Sequence, residues 1–123
     1  MQRHAVCVTE GMSLNRIGEQ TGDVLTWLAR KEEAIASNLA NADTPGYKTR
    51  DVENPGDFSS VFATSLSAQE VPNLVSRNDG NNVSLDREAR LLAENNMKFN
   101  LASQLLRGEL KNVRSAIEEG RSS

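Results

Sequence analysis

Apolar residues recur with a helical period over residues 12–42 of the chain and again over residues 84–119. In the first stretch they keep three-, four- and seven-residue spacings, which indicates one face of an amphipathic helix. The positions are Leu14, Ile17, Val24, Leu25, Leu28, Ile35 and Leu39. Glu10 and Gly11 come before this pattern and separate it from the first residues of the chain. We therefore predict an N-terminal segment over 1–11 and a helix over 12–42.

The second periodic stretch contains an unbroken apolar column at seven-residue intervals. The column consists of Leu85, Leu92, Phe99, Leu106 and Val113. A sustained seven-residue period favours coiled-coil packing, and a bent helix in a small bundle is the simpler alternative. Ser84 is a good N-cap and Gly120 a good residue to follow the helix, so we predict a helix over 84–119.

The two helices are expected to bury one face each against the other. The predicted helix-pairing seam consists of Leu28, Ile35, Leu85, Leu92, Asn96, Phe99, Leu106, Val113 and Ile117. The amide of Asn96 would need a polar partner in this seam, for which Asn38 and Asn41 are candidates.

Between the helices the helical pattern is lost, and we expect a turn and an extended loop over 43–83. Thr44-Pro45-Gly46-Tyr47 fits a type II turn, because proline fixes the first central φ and glycine supplies the positive one. Residues 57–66 place apolar side chains at helical spacing, which predicts a short helix in which Phe58 and Phe62 anchor the loop.

These elements predict an all-α fold, in which long N- and C-terminal helices pair as an antiparallel, coiled-coil-like hairpin. A long extended loop with one short helix joins them, and the whole chain forms a single unit. The hydrophobic share is 37% with glycine left out, the aromatic share is 4%, and the chain has 8 glycines among its 123 residues. The apolar share with glycine counted therefore falls slightly short of the about 45–50% of ordinary domains. We therefore expect neighbouring subunits to complete the burial.

The residues that carry catalysis or metal binding are scarce. The chain has one histidine, His4, and one cysteine, Cys7, and no phosphate-binding glycine motif. A net charge of −3 argues against a nucleic-acid-binding surface. No apolar run approaches the ~18 residues of a membrane span, and the N-terminus lacks the apolar core of a cleaved signal peptide. We expect no enzyme, no cofactor, no metal and no small-molecule substrate.

Two stretches resemble a known family. Asn38-Leu39-Ala40-Asn41-Ala42-Asp43-Thr44-Pro45-Gly46-Tyr47-Lys48 resembles the signature of the bacterial flagellar rod and hook family of axial proteins, and its form is most similar to a proximal rod member. Asp79-Gly80-Asn81-Asn82-Val83-Ser84-Leu85-Asp86-Arg87-Glu88 and the C-terminal helix resemble the carboxyl end of the same protein. The resemblance makes residues 38–41 and 43–47 the candidate assembly and turn motif. Residues 53–56 and the first dozen residues depart from the family pattern.

The resemblance implies a structural subunit of the flagellar basal-body rod, which polymerises into a helical, tubular drive shaft and export channel. Its partners would be copies of itself, other proximal rod proteins, the rod-base adaptor FliE, the MS ring and the flagellar type III export apparatus. Such a subunit would reach the periplasm-spanning rod without a cleaved signal peptide. The alternatives are another rod protein of the same family and a cytoplasmic coiled-coil adaptor or secretion chaperone.

Overall fold

In the part of the chain that the structure describes, the fold consists of two long helices and a two-stranded sheet. The computed structural model describes residues 2–56 and 66–122, with side chains from residue 16 onward. The elements are α1 (Gln2–Ala40), β1 (Arg50–Asp51), β2 (Gln69–Glu70) and α2 (Leu85–Arg121). The expected short helix around Phe58 and Phe62 lies outside the described residues.

Helix α1 begins ten residues earlier than the sequence pattern indicated, at Gln2, and continues through Gly11. A glycine weakens a helix by about 1 kcal/mol relative to alanine but keeps its backbone hydrogen bonds, so it does not end one. Helix α2 begins as predicted: the Ser84 hydroxyl accepts a hydrogen bond from the backbone N–H of Arg87 at 3.3 Å. It ends two residues late, because Gly120 stays helical and Ser122 is the C-cap.

The helices form an antiparallel hairpin. Asn38 of α1 contacts Glu88 of α2, and farther along the hairpin the backbone of Leu28 contacts Asn95. Near the other end of the hairpin a Cβ added to Gly18 would lie 3.8 Å from the Glu109 carboxylate. As the residue number increases along α1, the number of the facing residue in α2 therefore decreases.

The face of α2 that meets α1 differs from the predicted seam. Its buried residues are Glu88, Asn95 and Ala102, a column three positions away from the apolar one. Leu92 and Leu106 are half-buried, whereas five predicted seam residues of α2 are exposed. These are Leu85 (60%), Phe99 (38%), Val113 (42%), Ile117 (57%) and Asn96.

The physical reason for this difference is the size and bonding of the side chains in the contact. Ala102 is small enough to admit the bulky Trp27 and Leu28 of α1, and these residues belong to one core cluster with Ala34 and Val52. Glu88 and Asn95 are tolerated inside because each is hydrogen bonded to α1. Of the predicted seam in α1, both Leu28 (0%) and Ile35 (1%) are buried.

In the described ranges 41–56 and 66–84, the segment between the helices packs against the hairpin: Val52 belongs to the core cluster, and Leu66 and Ala68 pack against it. Strands β1 and β2 pair antiparallel, with Arg50 opposite Glu70 and Asp51 opposite Gln69. The Val71 N–H continues the pairing by donating to the Thr49 carbonyl at 2.9 Å. This small sheet is an addition to the all-helical architecture expected from the sequence. Within the described ranges, no helix is both long and apolar enough to cross a lipid bilayer.

Replacement of a core leucine tests the hairpin. Leu28 is fully buried, so Leu28→Ala should lower the free energy of unfolding by about 2–5 kcal/mol, through lost burial and the cavity left behind. Urea titration followed by far-UV circular dichroism measures the change. Leu101→Ala is the matched control, because Leu101 is 60% exposed and its loss should cost less than about 0.5 kcal/mol. Equal costs for the two variants would contradict the packing.

Candidate functional site

The carboxyl end of α1 is closed by side chains of the candidate motif. After Ala40, the backbone N–H of Asn41 still reaches the Ser37 carbonyl at 3.1 Å, and its side-chain Nδ2 donates to the same oxygen at 2.8 Å. The Thr44 hydroxyl then donates to Oδ1 of Asn41 at 3.1 Å. The Asn41 amide therefore joins the last helical turn to the residues that follow it, as expected of asparagine at a helix end.

The chain reverses direction at Thr44-Pro45-Gly46-Tyr47. The Tyr47 N–H donates to the Thr44 carbonyl at 3.2 Å, and Gly46 has a φ of 74°. These are the closing hydrogen bond and the positive φ of the predicted type II turn. Asp43 and Pro45 are exposed at this turn.

Asn38 is the most completely bonded side chain of the motif, and it is fully buried. Its Nδ2 donates to the Arg50 carbonyl at 2.7 Å and to Oε2 of Glu88 at 3.0 Å. Its Oδ1 accepts the Arg50 N–H at 3.0 Å and the Tyr47 hydroxyl at 3.2 Å. One amide thus joins α1, the start of β1 and α2, and all its hydrogen-bonding capacity is used.

A line of charged side chains continues from Asn38 to the surface. Glu88 is fully buried, and its Oε1 accepts a hydrogen bond from the Arg87 guanidinium at 2.6 Å. The same guanidinium donates to Asp51 at 3.1 Å, and Lys31 lies 3.3 Å from the other Asp51 oxygen. Buried charge is tolerated where it is paired and hydrogen bonded. These four residues attach β1 to both helices.

A second turn, residues 77–80, packs against the first. The Asn81 side chain is fully buried, and its Nδ2 donates to the carbonyls of Asn41 and Thr44 at 2.9 and 2.8 Å. The Gly46 N–H donates to the Asp79 carbonyl at 2.9 Å. Asn81 therefore holds the backbone that leaves α1.

The close approach of the two backbones explains why the second turn has a glycine at position 80. A Cβ on Gly80 would lie 3.4 Å from the Cα of Gly46, and Gly80 has a φ of 83°. Next to it, Asn82 accepts the Thr49 N–H on its side chain at 2.7 Å, and its own N–H donates to the Tyr47 carbonyl at 3.3 Å. Residues 41–49 and 77–83 thus form one unit, which we call the double turn.

The structure brings together Asn38, Asn41, Thr44, Gly46 and Tyr47 of the candidate motif. Leu39 is half-buried and Ala40 exposed beside them. Four residues in or next to the double turn were not predicted as site residues: Asn81, Asn82, Arg87 and Glu88. All four lie in the second stretch that resembles the family, residues 79–88, which ends inside the first turn of α2.

The hairpin holds further polar contacts away from the double turn. The buried Asn95 donates from Nδ2 to the Leu28 carbonyl at 3.1 Å, and its Oδ1 has no hydrogen-bond partner among the described residues. The Trp27 indole donates to the Glu53 carbonyl at 3.1 Å. Lys31 and Lys98 lie 5.5 and 6.0 Å from the centre of that indole ring. Cations at such distances from an aromatic face are attracted to it.

One exposed ion pair lies on α2. Lys98 donates to the Glu94 carboxylate at 2.6 Å. That hydrogen bond and the lysine charge lower the pKa of Glu94.

The chemistry of the double turn is structural. Its buried amides, and the adjoining Asn38 amide and Glu88 carboxylate, are hydrogen bonded to the chain's own backbone and side chains. Within the part of the chain that the structure describes, no group of three or more histidine, cysteine, aspartate or glutamate residues is placed to hold a metal ion. The arrangement can fix the path of a backbone.

Two glycine-to-alanine substitutions with opposite expected effects on stability test the first turn. Gly46→Ala should destabilise the protein by about 1–2 kcal/mol, because alanine resists the left-handed conformation. A Cβ there meets no atom within 4 Å, so the cost is conformational. Gly22→Ala, inside α1 and equally open, should instead stabilise by up to about 1 kcal/mol. Thermal unfolding measures both, and a shift of the same sign in the two variants would contradict the turn.

Replacing the central amide by a carboxylate tests its bonding. Asn38→Asp loses both donors and places a negative charge beside Glu88, so it should cost about 3–5 kcal/mol at neutral pH. The deficit should shrink at acidic pH, because a protonated carboxyl group at position 38 can donate again. Asn96→Asp on the exposed face of α2 is the control and should change stability by less than about 0.5 kcal/mol. Denaturant titrations at pH 7 and pH 4 measure the free energy of unfolding of both variants, and an equal deficit of Asn38→Asp at the two pH values would contradict this bonding.

Comparison with known proteins shows the family to which the chain belongs. Residues 25–48, which include the end of α1 and the first turn, match the family described as flagella basal body rod protein. The flagellar basal body rod protein FlgB of Escherichia coli (strain K12) is 30% identical over 124 residues, covering 80% of this chain and 90% of that protein. FlgB of Yersinia enterocolitica is 30% identical over 128 residues with the same coverage. FlgB of Salmonella typhimurium is 28% identical over 124 residues, again covering 80% and 90%. The chain therefore belongs to the FlgB family of flagellar basal body rod proteins.

Proposed function

We propose that this chain is a structural subunit of the proximal rod of the flagellar basal body. It polymerises with copies of itself and with other rod proteins into a helical, tubular shaft that transmits torque and encloses the export channel. Membership in the FlgB family supports a structural rod subunit. The observation that supports polymerisation is that α2 exposes large apolar side chains along much of its length.

That surface is unusual for a chain that acts alone. Leu85, Leu101, Leu105, Leu110 and Ile117 are all between 57% and 61% exposed. Single exposed leucines are common, but several large exposed apolar side chains distributed along one helix are typical of a helix that packs against other molecules. The sequence led us to expect that the seven-residue period of α2 serves coiled-coil-like pairing with α1 of the same chain. In the proposal, this period acts in contacts between subunits instead.

Torque transmission needs contacts that repeat and resist shear, and it needs no catalysis. Head-to-tail contacts that do not close into a ring generate helical polymers. The double turn suits this role, because Asn38 and Asn81 fix the direction in which the chain leaves α1 through buried hydrogen bonds. Each subunit then presents the same outer surface to its neighbours. An enzymatic role has no support from the family.

The partners in this proposal are other proximal rod proteins, the rod-base adaptor FliE and the surrounding MS ring. The subunit reaches the periplasm-spanning rod through the flagellar type III export apparatus without a cleaved signal peptide. Family membership supports the rod itself, and the more specific partners follow from the resemblance of the motif.

Fractionation of the source bacterium tests the proposed function. An epitope-tagged copy should be recovered in purified basal bodies, and deletion of its gene should abolish swimming in soft agar. Swimming should return when the gene is restored. Mass spectrometry of the purified basal bodies measures the first result, and the diameter of the swimming ring measures the second.

The control is a cytosolic fraction from the same cells. A chain that is absent from basal bodies and remains soluble with a bound client would contradict the rod and favour a secretion chaperone. Normal swimming after deletion would also contradict a rod subunit.

A further inference from the structure

The second turn contains the one aspartyl–glycyl bond of the chain. Asp79 is followed by Gly80, and no other aspartate or asparagine in the sequence precedes a glycine. The backbone nitrogen of the residue after an aspartate can attack the side-chain carboxyl group. Glycine hinders this attack least, because it has no Cβ. The sequence therefore marks Asp79-Gly80 as the bond at which an open chain would rearrange first.

The rearrangement needs water and no other reactant. The Gly80 nitrogen forms a bond to Cγ of Asp79 and gives up its proton, while one carboxyl oxygen of Asp79 leaves as water. A second water molecule then opens the five-membered imide at one of its two carbonyls. Opening at the former backbone carbonyl leaves the chain running through Cγ, which is isoaspartate, and turns that carbonyl into a free carboxylate.

In the folded chain both reacting groups are hydrogen bonded elsewhere. The Gly80 N–H donates to the Arg77 carbonyl at 2.9 Å, so the nitrogen holds its proton. Oδ1 of Asp79 accepts the backbone N–H of Asn81 at 3.0 Å. Ring closure requires that the nitrogen and the carboxyl group leave these partners. Each lost hydrogen bond opposes the reaction.

The carbonyls of both residues are fixed to the first turn. The Asp79 carbonyl accepts the Gly46 N–H at 2.9 Å, and the Gly80 carbonyl accepts a hydrogen bond from the Lys48 ammonium at 2.7 Å. Isoaspartate would add one carbon to the backbone at this point and replace the Asp79 carbonyl by a carboxylate. The hydrogen bond from Gly46 could then no longer form in its native place, and the two turns would not close on each other.

We propose that Asp79-Gly80 is an isoaspartate-forming site that the double turn keeps unreactive. A chain whose double turn is open isomerises at this bond, and the product no longer closes the turn. The hydrogen bonds of the second turn thus protect the covalent structure of the chain as well as its shape. This inference concerns the fold of the single chain and does not depend on the proposed rod function.

Ageing of the purified full chain tests the proposal. The chain is incubated at neutral pH in buffer and, in parallel, in concentrated urea, and is then digested with trypsin. Cleavage after Arg77 and Arg87 releases the peptide 78–87. Isoaspartate leaves the mass of this peptide unchanged and alters its retention on reversed-phase chromatography, whereas deamidation of an asparagine changes the mass. Fragmentation in the mass spectrometer locates the isoaspartate within the peptide.

We expect isoaspartate at position 79 to accumulate in urea and to form at least about tenfold more slowly in buffer, because only the open fraction of the double turn reacts. Asp86 lies in the same peptide and is an internal control. It should form far less isoaspartate than Asp79 in urea, because the side chain of Arg87 hinders the attack. Equal rates at position 79 in buffer and in urea would overturn the proposal.

A variant of the double turn shows whether the protection is local. Asn81→Ala removes the side-chain hydrogen bonds to the Asn41 and Thr44 carbonyls and leaves the Asp79-Gly80 bond itself unchanged. In buffer this variant should form isoaspartate several-fold faster than the parent chain. In urea the two chains should react at the same rate, which shows that the substitution has not altered the reactivity of the open bond.

Leu28→Ala is the matched control. It weakens the hairpin core away from the double turn and should keep the parent rate in buffer while helical circular dichroism persists. If Asn81→Ala does not fold, Gly46→Ala provides the same test, because it strains the first turn and should also speed isomerisation. The parent rate in a folded Asn81→Ala or Gly46→Ala chain, or an equal acceleration by Leu28→Ala, would overturn protection by the double turn.

Discussion

The buried amide of Asn38 is the interaction on which the rest of the fold depends. Its two donors and its acceptor oxygen serve the backbone of Arg50, the hydroxyl of Tyr47 and the carboxylate of Glu88. A buried amide that is left unsatisfied is costly, so these contacts must form together or be lost together. This requirement sets where α1 ends, where β1 begins and which turn of α2 lies opposite.

The interior built around this amide is unusually polar. Asn38, Thr49, Asn81, Glu88 and Asn95 are all nearly or fully buried, beside a small cluster of apolar residues around Trp27 and Leu28. Buried polar contacts add little net stability, because desolvation offsets most of their attraction, but they tolerate only one arrangement. The hairpin therefore has a well-defined register and a modest core. Contacts with neighbouring subunits are then a natural source of further stability.

Sequence reasoning predicted those features that depend on local pattern. The two helices, the N-cap at Ser84 and the turn at Gly46 each follow from residues a few positions apart. The partner of Asn38 could not be predicted in this way, because Glu88 lies fifty positions away and nothing local to either residue indicates the other. The pairing face of α2 was misplaced for a related reason. The apolar column through Phe99 and Val113 is the most hydrophobic, but α1 packs against the column whose residues offer hydrogen bonds and a small side chain.

The position of Trp27 gives the protein a built-in optical signal. It is the only tryptophan in the chain, and it lies where α1, α2 and the start of the connecting segment meet, with its indole N–H bonded to the Glu53 carbonyl. Release of that segment from the helices would hydrate the indole and shift its emission to longer wavelength, even while both helices stay formed. Emission and helical circular dichroism would then separate on unfolding. The intrinsic fluorescence of the unlabelled chain thus distinguishes a folded hairpin from a hairpin with its connecting segment in place.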